Sequence, residues 1–176
     1  MKRYDAKRRI LGHFLQNPTA RLRVRQIERL LNVPLPSVTR YTKELEKENL
    51  LTKITISDVH FFTANRAAPS FVLEKKIYNL RNVFDSGLIP HLEKLYGRPT
   101  AVLFGSYARG EDIEESDIDL YIETPSKKRV ALEKFHWTLG RKIQVFRYKS
   151  LHDVENRELA NNIANGITLL GFLEVV

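Results

Sequence analysis

The chain has 176 residues, 43% of them hydrophobic, with a formal net charge of +8 and no cysteine. That length holds one domain or two small ones, and the lack of cysteine excludes disulfides, thiol catalysis and Cys-zinc sites. No apolar run approaches the roughly 20 residues needed to span a bilayer, and the basic start Met1-Lys2-Arg3 lacks the apolar core of a secretory signal. A cytoplasmic protein with no membrane partner is the expectation. The five histidines (His13, His60, His91, His136, His152) are scattered, without metal-site spacing.

Charge divides the chain. Residues 1–69 hold 14 Lys/Arg against 6 Asp/Glu, whereas residues 70–176 hold 15 of each. A basic small domain beside a neutral larger one points to a polyanionic partner for the former. Its apolar residues come in short stripes. Ile10, Leu11, Phe14 and Leu15 lie at helical spacing within a helix from Tyr4 to Gln16, which Asn17-Pro18 ends. Val24, Ile27, Leu30 and Leu31 form a second stripe, closed before Pro34. A third helix begins near Pro36-Ser37, where the missing proline N–H costs nothing. Its buried side is Val38, Tyr41, Leu45 and Leu50. The alternating runs 51–56 and 59–63, joined by Ser57-Asp58, predict a hairpin.

Three helices and a hairpin resemble a winged helix-turn-helix domain, placed here at residues 1–66. The resemblance implies double-stranded DNA as partner, with the third helix in the major groove. Ser37, Thr39, Arg40 and Lys43 on that helix, and Lys53 on the hairpin, are the candidate DNA-binding residues. Arg21, Arg23 and Arg25 suit backbone phosphates. The alternative is a set of solvated charges on a bundle that docks against the other domain. The tip Ser57-Asp58 lacks the basic residue a minor-groove wing would carry.

Asn65–Ser70, with Pro69, marks the boundary to a second domain at residues 70–176. Phe71, Val72, Ile77, Leu80, Val83 and Phe84 give one helix a broad apolar face, suited to packing or to a homodimer contact. A helix over 88–96 ends at Gly97. The apolar run 101–104 reads as a buried strand ending at Gly105, where glycine permits a sharp turn and close ligand approach. Ser106 then stands where a helix begins, so its hydroxyl and nearby N–H groups can face a phosphate. Asp117 and Asp119, two apart in a strand, present both carboxylates on one face, while Ile118, Leu120 and Ile122 point inward. Paired carboxylates beside a phosphate grip suit Mg²⁺. A crossover helix is expected over Lys127–Leu139, with Ala131, Leu132, Phe135 and Leu139 inward and Trp137 in the core. The strand Lys142–Arg147, a helix over 158–164 and a last apolar segment, Gly166–Phe172, complete a mixed α/β core.

Gly105-Ser106, a spacer from Tyr107 to Ser116, then Asp117-Ile118-Asp119 resembles the minimal nucleotidyltransferase family, in the superfamily of DNA polymerase beta and kanamycin nucleotidyltransferase. The resemblance implies an α/β (α+β) nucleotidyltransferase-like domain with a small mixed sheet. It implies that Gly105 and Ser106 contact a nucleoside triphosphate such as ATP, and that Asp117 and Asp119 hold Mg²⁺ as the catalytic pair. Arg109 either offers its guanidinium to phosphate or pairs with an acid among Glu111–Glu115. The family's third carboxylate falls on the strand 142–146, where Gln144 stands. An amide cannot act as a base. Glu123 has the right parity but lies about 13 Å from Asp119 at about 3.3 Å per residue. Two readings follow. One is a nucleotidyltransferase that modifies a hydroxyl of a partner protein, as antitoxins of this family do. The other is a catalytically inactive transcription regulator that uses the fold as sensor or dimerisation body.

Overall fold

The computed structural model describes residues 3–175 and divides into two compact units, Met1–Tyr78 and Asn79–Val176. No helix among the described residues is long and apolar enough to cross a membrane.

The first unit opens with α1 (Arg3–Gln16), α2 (Val24–Leu31) and α3 (Leu35–Lys47). Each ends where the sequence withdraws a helical option. Asn17 turns back onto the His13 carbonyl just before Pro18. Asn32 and Asn49 take left-handed φ values of 47° and 58° beyond α2 and α3, and the Leu50 N–H returns to the Leu45 carbonyl. One core forms from Ile10 and Phe14 of α1, Ile27 of α2, and Val38 and Leu45 of α3, all fully buried. The strands β1 (Leu51–Ile56) and β2 (Val59–Ala64) pair antiparallel. Their turn residues Ser57 and Asp58 both have positive φ, 47° and 61°, as a two-residue hairpin of the twisted primed type requires. Leu22 adds a short bridge, exchanging backbone hydrogen bonds of 2.9 and 2.8 Å with Phe62.

Helix α4 (Pro69–Asp85) contributes Phe71 to the first core and Val83 to the second. Part of its broad apolar face is exposed, Ile77 at 46% and Phe84 at 49%, and so is Leu73, outside that face, at 57%. In the second unit, α5 (Leu88–Tyr96) precedes β3 (Thr100–Phe104) and the short α6 (Gly105–Arg109). Then come β4 (Ile118–Glu123), α7 (Glu133–Leu139), β5 (Ile143–Tyr148), a 3-10 turn (Leu151–Asp153), α8 (Arg157–Ala164) and β6 (Ile167–Leu170). The sheet is mixed, in order β5-β4-β3-β6, with β4 and β5 parallel and the other pairs antiparallel.

Alternation divides its two faces. Ala101, Leu103, Ile118, Leu120, Ile122 and Ile143 pack with Leu88, Leu92 and Phe135. Val102, Phe104 and Tyr121 pack on the other side with Leu151, Val154 and Ile163. Asp119 shares the parity of Tyr121, so it belongs to this second face.

Two expectations fail here. The helix before β5 starts only at Glu133. Upstream, the Ser126 and Lys128 N–H groups donate to the Thr124 and Ser126 hydroxyls, and the Lys128 carbonyl accepts from Tyr96 Oη and Arg147. These side chains take the backbone groups a helix would use, and Ala131 is exposed rather than inward. Trp137 is 88% exposed, not core, because Leu132, Phe135 and Leu139 form the inward stripe of α7.

Candidate functional site

Antiparallel pairing sets Phe104 opposite Asp119, and parallel pairing sets Asp119 opposite Gln144. The chain leaves β3 at Gly105 with φ 73° and passes directly over the Asp119 carboxylate. A Cβ at 105 would lie 2.1 Å from Asp119 Oδ2, so only glycine fits. Ser106 follows, half-buried, in the first turn of α6, while Tyr107 and Ala108 anchor that helix in the core. Asp117 stands just before β4 and Asp119 within it. Burial, the neighbouring Asp117 charge and, opposing them, the Arg109 cation leave the Asp119 carboxyl above the usual carboxylate range. The pair thus repels itself, and a cation between its members would relieve both effects.

Arg109 binds Glu111 at 2.7 Å in the structure, while its charge still reaches Asp119. The other nearby acids have structural partners. Glu123 accepts from Tyr121 Oη at 2.9 Å and from the Leu151 N–H at 3.0 Å. Burial, and then the bond to Glu123, push the Tyr121 phenol far above its ordinary pKa. Asp153 accepts from the Ser150 N–H and hydroxyl, both at 3.0 Å. Asp112, in the spacer between Ser106 and Asp117, is fully buried. It lies 3.1 Å from the Arg141 guanidinium and accepts from Asn79 Nδ2 at 2.7 Å. The same Asn79 amide donates to the Tyr107 carbonyl at 2.9 Å, and Arg141 donates to the Ile113 carbonyl. This network fastens both ends of the link between α6 and the Asp117 strand. Nothing in residue spacing announces it, because Asp112 sits in a run of four acids that reads as solvated. Among the described residues, no three His, Cys, Asp or Glu converge as a metal site.

In the first unit the expected DNA-contacting residues lie on or beside α3. Thr39, Lys43 and Lys53 are exposed and Ser37 is half-buried. Thr39 Oγ1 donates to the Leu35 carbonyl at 3.0 Å. Arg40 lies 4.4 Å over the Tyr41 ring and 3.6 Å from Glu44. Arg23 stacks over Phe61 of the hairpin at 5.3 Å.

Comparison with known proteins bears on the second unit. Residues 86–164 match the Nucleotidyltransferase domain family. Two proteins of Methanocaldococcus jannaschii, each carrying the name "Putative protein adenylyltransferase", are similar to the chain. One is 38% identical over 69 residues, covering 35% of this chain and 69% of the relative. The other is 35% identical over 79 residues, covering 42% of this chain and 84% of the relative. No solved structure matches.

Proposed function

Because the chain belongs to the nucleotidyltransferase family, we propose that its domain at 70–176 binds Mg-ATP and transfers the nucleotidyl group to a hydroxyl of a partner protein. The observation that carries this reading is the seating of Gly105 against Asp119. It supports a triphosphate grip at Gly105 and Ser106 directly over a carboxylate pair. Asp117 and Asp119 fit a divalent cation, since their mutual repulsion and the burial of Asp119 both call for positive charge. When bound, Mg²⁺ neutralises phosphate charge and polarises the α-phosphorus. The Arg109 guanidinium is held close by Glu111 and can exchange that partner for phosphate. The acceptor oxygen bonds to the α-phosphorus, the α–β bridging bond breaks, and pyrophosphate leaves. The acceptor's name follows from the relatives, both called protein adenylyltransferases.

Gln144, opposite Asp119, supports a slow or partner-dependent reaction. We read it as standing where the family's third carboxylate stands. Its amide cannot take the acceptor's proton, and Glu123, Asp153 and Asp112 are held by other partners. The proton therefore passes to solvent or to an acid brought by the acceptor. Gln144→Glu should raise Mg-dependent transfer of label from α-phosphate-labelled ATP, by about 10²-fold if it restores a general base. No gain, with unlabelled wild type, favours the second reading, a nucleotide-sensing regulator without turnover.

The domain at 1–66 is proposed to be a winged helix that binds duplex DNA. The Leu22–Phe62 bridge supports this, because it ties the segment between the first two helices to the hairpin. Lys43 and Lys53 are open to solvent, while Arg40 would exchange Glu44 for DNA. Arg40→Ala with Lys43→Ala should weaken duplex binding by about 1–3 kcal/mol per lost specific contact and lower the salt slope by about one per lost phosphate contact. An unaltered mobility shift and slope would exclude α3 as the reading helix.

A further inference from the structure

The zero charge balance of the second half hides two opposed blocks. Residues 110–123 contain seven Asp/Glu and no Lys/Arg, whereas residues 124–150 contain eight Lys/Arg and one acid, Glu133. The acidic block builds the transferase site. The basic block has no role there. Arg141 is consumed by Asp112, but Lys127, Lys128, Arg129 and Lys134 are exposed. Three residues after Lys134 on α7 stands Trp137, 88% exposed.

The first three cations sit on a fastened loop. The Lys128 carbonyl accepts from Tyr96 Oη at 2.8 Å and from Arg147, and the Ser126 hydroxyl accepts from the Lys128 N–H at 3.3 Å. Their backbone is therefore ordered before any ligand arrives, which lowers the cost of binding. Lys134 and Trp137 are three apart on α7 and share one flank. Phe135 of α7 packs with Ile118, Leu120 and Ile122. The patch thus covers the sheet face opposite Asp119.

We infer that this patch binds single-stranded nucleic acid, with Lys127, Lys128, Arg129 and Lys134 on the phosphates and Trp137 stacked on a base. Charge sets the class of partner, a polyanion. The indole selects among polyanions. An acidic polypeptide pairs with the cations but leaves the indole in water, whereas every base offers a flat face to it. A duplex hides its bases within the stack. Because the patch and the carboxylate pair lie on opposite sheet faces, the strand and Mg-ATP do not compete.

Trp137 is the chain's one tryptophan, so its emission reports this site alone. Titrating the full chain with an unstructured 12-nucleotide RNA at low salt should quench that emission, with affinity falling steeply as salt rises. Adding Mg-ATP should leave the titration unchanged. Lys127→Glu with Lys128→Glu and Arg129→Glu should weaken binding at least tenfold while the melting temperature holds. Trp137→Ala, followed by anisotropy of labelled RNA, should weaken it about tenfold. Absence of quenching overturns the inference. So does equal quenching by polyglutamate, which would assign the patch to an acidic protein, or by a duplex of the same length.

Discussion

Gly105→Ala should lower nucleotidyl transfer by about two orders of magnitude and leave the fold standing. The new methyl would lie 2.1 Å from Asp119 Oδ2 and 3.0 Å from its Cγ. Neither atom belongs to the backbone, so the carboxylate is what gives way. It must swing off its position by about an ångström, and a misplacement of that size costs about 10²-fold in a reaction that depends on alignment. A second penalty comes from φ 73°, where a side chain costs about 1–2 kcal/mol. That part is a stability cost and appears as a modest fall in melting temperature. The two readouts separate the effects. A variant that melts slightly earlier but has lost Mg-dependent transfer fits the account. One that melts earlier and transfers normally means that Gly105 serves the turn alone.

Arg141→Ala should cost about 3–5 kcal/mol of stability, the usual penalty for stranding one member of a buried ion pair. Asp112 is fully buried and bonds to Arg141 and Asn79. Removing the guanidinium leaves a buried carboxylate with one strong partner fewer and also frees the Ile113 carbonyl. Against a typical domain stability of about 5–15 kcal/mol, that brings the second unit near unfolding in the chain at 37 °C. Replacing both partners, Asp112→Leu with Arg141→Met, should recover most of the loss, because an apolar pair of similar volume is often neutral or better. Urea unfolding of wild type, single and double variants measures the difference. A single variant within about 1 kcal/mol of wild type would show that the pair stabilises nothing.

How much could be read from residues alone varied with the physics behind each element. The hairpin 51–64 was legible because alternation and a two-residue turn are local signals. So was the run from β3 through Gly105 to β4, where an apolar block, a glycine and alternating acids each constrain the backbone within a few residues. The segment 127–132 was misread because its Lys, Arg, Ala and Leu favour a helix by propensity, while bonds that hold it out of a helix come from Tyr96 and Arg147, distant in sequence. Trp137 was misplaced for a related reason. Aromatic residues are usually buried, and that tendency was set above the helix phase, which places Leu132, Phe135 and Leu139 inward and turns Trp137 away from them. The burial of Asp112 rests on Asn79 and Arg141, 33 and 29 residues away along the chain, so no local pattern carries it. Leu22 is similar, since its bridge to Phe62 joins residues 40 apart.

The central claim is that Gly105, Ser106, Asp117 and Asp119 form a working Mg-nucleotide site. Calorimetry of ATP binding, with and without Mg²⁺, on the wild-type chain and on Asp117→Asn with Asp119→Asn, tests it most directly. The account predicts Mg-dependent binding by wild type and none by the double variant at equal folded fraction. Binding that ignores Mg²⁺, or that survives the double substitution, would contradict it.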